Sequence, residues 1–184
     1  MSADSEPQEP PARDESDLLQ LAPAGLAWLV VHARPRAEKK IVIFCQTRSF
    51  ASYLPVRDKT HIYGNRKRTF SSPLFPGYVF CCVDPAGRML LRQNQHVANV
   101  LDVYDQTGLL AQLRQVRQVL TAGQIVEVLP YLEAGHRVRV TGGPLKGLEA
   151  VVIRAKGKTR IVLNVDMIVQ SVVAEIDGDL LVPA

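Results

Sequence analysis

The stretch Ser72-Pro73-Leu74-Phe75-Pro76-Gly77-Tyr78-Val79-Phe80 decides how the first half of this chain is read. Each proline fixes φ and removes a backbone donor, so Pro73 and Pro76 exclude a central strand before Gly77 and push Leu74 and Phe75 to an edge or bulge. Gly77 then allows the turn into the alternating run Tyr78-Val79-Phe80. The pattern alone admits two readings. The aromatics either form a surface that grips a partner, or fill the core at an ordinary strand entry.

Outward from this point, strands and helices interleave. Trp28 to His32 reads as a strand, with Trp28 a core residue. Arg34-Pro35-Arg36 reads as a turn and helix start, with proline at the first helical position. Ile41-Val42-Ile43-Phe44 fits helix or strand, and the early proline and the charges of Glu38 to Lys40 favour helix. Ser52 to Arg57 predicts a strand, His61 to Arg66 a hairpin tip at Gly64-Asn65, and Lys67 to Phe70 and Gly77 to Val83 the returning strands. A short helix is expected around Arg88 to Arg92 and a strand over Val97 to Tyr104. Leu109, Leu110, Leu113, Val116 and Leu120 share one helical face, which predicts an amphipathic helix over Leu109 to Ala122. These elements make an α+β unit, helices against an antiparallel sheet, over residues 26–122. Gly123 to Gly135, with Pro130 and Gly135 as breakers, reads as a linker over 123–134. Five short runs follow, Arg137 to Val140, Glu149 to Ala155, Arg160 to Val165, Ser171 to Glu175 and Leu180 to Val182. That spacing predicts a small closed β-barrel over 135–184.

Composition narrows the function. The 184 residues are 47% hydrophobic, as in globular proteins. The longest apolar runs, such as Leu26 to Val31 and Ile41 to Cys45, fall far short of the ~18 residues a bilayer helix needs, and the N-terminus is acidic where a signal peptide would be basic. A cytoplasmic protein with no membrane partner is expected. Cys45, Cys81 and Cys82 have neither the even count of a disulfide framework nor metal-ligand spacing, and read as buried small hydrophobes. His32, His61, His96 and His136 fall in four separate segments, with no nucleophile elbow and no paired carboxylates. No enzyme, metal or cofactor is expected.

The net charge of +4 conceals an asymmetry. Residues 1–20 hold six acids and one base, for −5, and the remainder carries 21 bases against 12 acids, for +9. The tail to residue 25, rich in Pro, Ser, Asp and Glu, reads as disordered. Between His32 and Phe70 lie ten bases (Arg34, Arg36, Lys39, Lys40, Arg48, Arg57, Lys59, Arg66, Lys67 and Arg68) against Glu38 and Asp58. Such a density predicts salt-sensitive phosphate contact. Met89-Leu90-Leu91-Arg92 offers one base-edge donor, Arg92. Thr141 to Gly147 lacks the Gly-Lys-Ser/Thr ending of a phosphate loop and reads as a turn between strands.

Leu74 to Phe80, with Trp28-Leu29-Val30-Val31 before it and Val138-Arg139-Val140-Thr141-Gly142-Gly143-Pro144-Leu145-Lys146-Gly147 after it, resembles the NusG/RfaH family of transcription elongation factors over about residues 27 to 184. Pro73 to Tyr78 and the connector Pro130 to Gly135 look most like the operon-dedicated paralogues, including UpxY-type antiterminators. The resemblance implies an NGN-like N-terminal domain and a KOW-type barrel. It implies docking on the clamp helices of RNA polymerase through Leu74, Phe75, Pro76, Tyr78 and Phe80, Phe75 being the anchor. It further implies nucleic-acid contact, with DNA of the transcription bubble or nascent RNA, through Arg34, Arg36, Lys39, Lys40, Arg66, Lys67, Arg68 and Arg92. Gly143, Pro144, Leu145, Lys146 and Leu148 would recruit a ribosomal protein or the Rho termination factor. The implied protein is a monomer that suppresses pausing or termination. The alternative is a ribosome-associated KOW protein that binds RNA in translation.

Overall fold

A computed structural model of the chain describes residues 18–63, 66–132, 135–155 and 157–184, with the backbone alone at 59–63, 66–69 and 155. In the N-terminal half a four-stranded antiparallel sheet has the order β2 (Ala51–Tyr53), β5 (Tyr78–Val83), β1 (Ala27–Ala33), β6 (Val97–Asp102). The register sets Trp28 opposite Cys82, Val30 opposite Phe80 and His32 opposite Tyr78. Side chains alternate across a strand, so Leu29, Val31, Val79, Cys81 and Val83 face one way and Trp28, Val30, Phe80 and Cys82 the other. Both faces are covered, which is why β1 and β5 read as continuous apolar runs. On the first face lie α1 (Glu38–Thr47) and α2 (Pro85–Gln93), through Ile41, Cys45 and Leu91. On the second lies α3 (Gln106–Thr121), through Leu109, Leu110, Leu113 and Val116.

Local chemistry fixes the helix ends. Asp84 caps α2 by accepting from the Gly87 N–H at 2.6 Å, with Pro85 in the first turn, and Asp105 caps α3 by accepting from the Gly108 N–H at 2.8 Å. The start of α1 differs from expectation. Pro35 and Arg36 lie in a turn, Arg36 is left-handed at φ 61, and the helix begins at Glu38 without a side-chain cap. The expected strand from Ser52 to Arg57 is broken at Leu54-Pro55. Its first part pairs with β5, and β3 (Val56–Tyr63) instead forms a two-stranded hairpin with β4 (Arg66–Pro73). The Gly64-Asn65 tip lies outside the described residues.

The expected linker is partly strand. β7 (Val126–Pro130) pairs with β11 (Gln170–Glu175), Val172 lying opposite Val128, so residues 126–130 belong to the C-terminal sheet. That sheet has six strands in the order β12 (Leu181–Pro183), β8 (His136–Val140), β9 (Glu149–Ala155), β10 (Lys158–Val165), β11, β7. β12 and β7 stand at its two edges with no pairing between them among the described residues, and the expected closed barrel is not formed. Behind β7, the Ser171 hydroxyl donates to Asn164 Oδ1 at 2.6 Å and accepts from the Leu132 N–H, and Asn164 Nδ2 donates to the Leu132 carbonyl. These bonds satisfy a fully buried hydroxyl.

The two halves share one apolar cluster. α3 packs on the four-stranded sheet and also against β10, and Val140, Leu145, Leu148, Ile161, Leu163 and Ile168 join Trp28, Phe75 and Phe80 in it. The expected disordered tail to residue 25 falls outside the described residues up to 17, and its last part is packed. Leu19 is buried, the Trp28 indole N–H donates to the Gln20 carbonyl at 2.9 Å, and Arg114 Nε donates to the Leu19 carbonyl at 2.8 Å.

Candidate nucleic-acid interface

The turn before α1 and the outer face of α1 bring four cations to the surface. Arg34, Arg36, Lys39 and Lys40 are exposed, and none makes an ion pair among the described residues. The inner face of α1 is committed to the core through Ala37, Ile41 and Cys45, so helical periodicity forces the charges outward. One charge goes the other way. Glu38 is buried at 7% exposure and its Oε1 accepts from the Gly77 N–H at 2.7 Å. Gly77, left-handed at φ 87, is thereby tied to the first turn of the cationic helix.

Beside the cations lies a surface depression of about 430 Å³ lined by Lys40, Ile43 and Phe44 of α1 and by Asn94, Gln95 and His96 between α2 and β6. The Arg34 N–H donates to the His96 carbonyl at 2.9 Å, which fixes this loop against the end of β1. The Arg48 guanidinium sits 4.4 Å from the centroid of the Phe44 ring, a cation–π contact. Arg92 is exposed in the last turn of α2, two residues before the loop. The fold therefore brings Arg34, Lys40 and Arg92 to one region. Arg48 was among the bases expected to meet phosphate, but Phe44, Asn94, Gln95 and His96 were not singled out from sequence for this surface. The four-residue spacing Lys40, Phe44, Arg48 was the available signal. Arg66, Lys67 and Arg68 lie on β4, and their side chains fall outside the described residues.

Most of the expected docking patch is buried in this structure. Leu74, Phe75 and Phe80 are each 0% exposed and belong to the shared cluster. Proline excluded the segment from a central strand, as expected, but Pro73-Leu74-Phe75 folds inward, the Leu74 N–H donating to the Pro55 carbonyl at 2.7 Å. Pro76 alone of the five is exposed. Tyr78 is half-buried and stacks on His32 with centroids 5.2 Å apart. The expected C-terminal partner loop is partly buried as well. Leu145 and Leu148 are buried, Gly143, Pro144 and Lys146 are exposed, and the carbonyls of Pro144 and Lys146 accept from Gln118 of α3 at 3.4 Å each. At the start of β10, Lys158 pairs with Glu175 at 2.7 Å and Arg160 with Glu175 and Glu127.

Among the described residues no group of three or more His, Cys, Asp and Glu side chains is placed to hold a metal ion, and no helix is long and apolar enough to cross a membrane. An α+β chain with unpaired cations along one helix is of the class whose surface attracts polyanions. The sequence model of the NusG family, described as transcription termination factor nusG, matches residues 26–128, more than half of the chain. This chain belongs to the NusG family, and its role lies in transcription. Among solved structures it is similar to the crystal structure of the MjSpt4:Spt5 complex in conformation B, at 15% identity over 85% of this chain and 96% of that one, with a TM-score of 0.25, too low to bear on the fold. No curated protein matches it significantly.

Proposed function

We propose that this chain is a transcription elongation and antitermination factor, of the specialised UpxY-like kind, that binds RNA polymerase and holds nucleic acid of the transcription bubble along the exposed face of α1. The observation that carries the reading is the set of unpaired cations, Arg34, Arg36, Lys39 and Lys40, beside the Phe44 depression. Unpaired cations bind phosphate with release of counterions, and an aromatic floor flanked by amide and imidazole groups suits an unstacked base. The protein acts by binding and carries out no chemical step. Bridging polymerase and DNA opposes clamp opening and strand rewinding, so pausing and termination decrease.

Docking on the clamp helices through Phe75 requires a form in which the cluster around α3 is opened, because the ring has no exposed surface. The same opening frees the Gly143 to Leu148 loop from Gln118 for a second partner, a ribosomal protein or Rho. A translation-associated RNA-binding role for the C-terminal sheet is less well supported, since Arg139, Lys158 and Arg160 are engaged by Glu149, Glu175 and Glu127.

Transcription in vitro on a template with a defined pause, with the wild type and the Lys39→Glu/Lys40→Glu variant, tests the reading. The wild type should co-purify with core RNA polymerase and shorten the pause. The variant should still co-purify but lose pause suppression and crosslinking to DNA. If the wild type neither binds polymerase nor changes the pause, the reading is wrong.

A further inference from the structure

Cys45 of α1 and Cys81 of β5 are both fully buried, and their sulfurs lie 3.6 Å apart. We propose that these two residues are a thiol–disulfide modification site, oxidised by a hydroperoxide to an intramolecular disulfide that ties α1 to the middle of β5. A disulfide bond is about 2.05 Å long, so closure asks the sulfurs to approach by roughly 1.6 Å, within the reach of side-chain rotation and a small helix shift. The neighbouring thiol is excluded by the pleat. Cys82 pairs across from Trp28 and faces the opposite side of the sheet, away from α1.

The two sulfurs have different roles. The hydrogen bond from the Cys81 thiol holds Cys45 below the usual thiol range, against the upward pull of burial, and a bond from the Ser52 hydroxyl adds to it. That bond to Cys45, together with burial, pushes Cys81 well up. Of the two, Cys45 therefore loses its proton first, and Cys81 keeps its own. Ser52, half-buried on β2 at the sheet edge, lies opposite Cys81 and hydrogen-bonds Cys45, so a small oxidant reaches the buried pair by local opening of this three-residue edge strand.

In the first step the Cys45 thiolate attacks one peroxide oxygen. The O–O bond breaks, the sulfur is oxidised to a sulfenic acid, and the departing alkoxide or hydroxide takes a proton from water. In the second, the Cys81 sulfur attacks Cys45, the S–S bond forms, the S–O bond breaks, and hydroxide leaves with the Cys81 proton as water. Two thiols are oxidised and one peroxide is reduced. The bridge closes a loop across 36 positions, which restricts the unfolded chain and leaves the folded one nearly unchanged.

The test treats the reduced full-length protein with hydrogen peroxide, blocks remaining thiols with iodoacetamide under denaturing conditions, and maps tryptic peptides by mass spectrometry. Cys45 falls in the peptide 41–48 and Cys81 in 69–88, together with Cys82. The expected product is these two peptides joined, lighter by roughly two mass units than their reduced sum, with Cys82 alkylated. The thermal midpoint should rise by several degrees and return on adding dithiothreitol. Cys82→Ala should form the bridge at the wild-type rate, and Cys45→Ala should not form it. Recovery of Cys45 and Cys81 fully alkylated from the peroxide-treated wild type would overturn the proposal, as would dimers linked through Cys82, and neither readout depends on a variant folding.

Discussion

At the residue scale, Phe75 shows how a side chain can be central to a fold and yet unsuited to the obvious test of its role. The ring is 0% exposed among Trp28, Phe80 and the leucines of α3. Truncating such a ring removes its transfer free energy and leaves a cavity, so Phe75→Ala should cost about 3–5 kcal/mol, read as a lower urea midpoint. Loss of polymerase binding in that variant would report unfolding. Tyr78→Ala, at a half-buried position, is the better probe of docking. A milder unfolding change than that of Phe75→Ala is expected for it, and an equal one would place Tyr78 in the core after all. Arg36 presents the opposite case. Its left-handed φ of 61 costs a non-glycine residue about 1–2 kcal/mol, and its side chain is exposed without an ion pair among the described residues. A destabilising conformation kept at a surface cation points to use of the charge. Arg36→Gly should therefore leave stability unchanged or raise it by up to about 1 kcal/mol, since glycine also loses more entropy on folding. The same variant should bind single-stranded DNA more weakly, with a shallower dependence on salt. Paired urea melts and salt titrations would check this, and lost stability with unchanged affinity would reverse the interpretation.

At the element scale, the C-terminal sheet is held in part by charges whose contribution depends on pH. Glu175, on β11, accepts a hydrogen bond from Lys158 and lies near Arg160, both on β10, and these partners hold its carboxyl below the ordinary value. A carboxylate with a depressed folded-state pKa contributes stability above its unfolded pKa, and that contribution is lost as pH falls through the folded value. The group is exposed, so solvent screens the effect. Wild type and Glu175→Gln should differ in thermal midpoint at pH 7 and converge from about pH 5 downward; a constant difference would show that the pair does not matter. The elements themselves were unevenly legible in the sequence. α3 was readable because Leu109, Leu113, Val116 and Leu120 repeat at the helical period, and β1 and β5 because runs buried on both faces are continuously apolar. β7 was not, because Pro130 and Gly135 look like breakers, whereas Pro130 sits at the end of a strand on the sheet edge, where a missing N–H costs little. The Phe44 depression was hidden for another reason: α1 and the loop 94–96 are about fifty positions apart, and only the pairing of β1 with β6 brings them together.

At the scale of the whole molecule, α3 is the shared support of both halves. Gln112 exchanges two hydrogen bonds with Asp166, donating to Oδ2 at 2.6 Å and accepting from its N–H at 3.1 Å, while Gln118 donates to the carbonyls of Pro144 and Lys146. Arg57 adds a long bond to the Val126 carbonyl at 3.5 Å. These contacts rim an apolar cluster that runs from the N-terminal sheet into the C-terminal one, so the burial of Phe75 and of Leu145 and Leu148 are parts of one arrangement. The pairing patterns could not disclose this. A sheet's binary pattern says which face is covered, not which element covers it. Single exposed hydrogen bonds contribute about 0.5–1.5 kcal/mol each, so replacing both glutamines by alanine should weaken the packing of the halves without unfolding either core. In the Gln112→Ala/Gln118→Ala variant, amides of residues 141–148 and of β10 should exchange hydrogen faster while those of β1 and β5 keep their protection. If docking requires the opened form, the same variant should retain more core polymerase in a pull-down than the wild type does. Faster exchange throughout the chain would mean that α3 is indispensable to both folds, and the halves would then have to act on polymerase as one body.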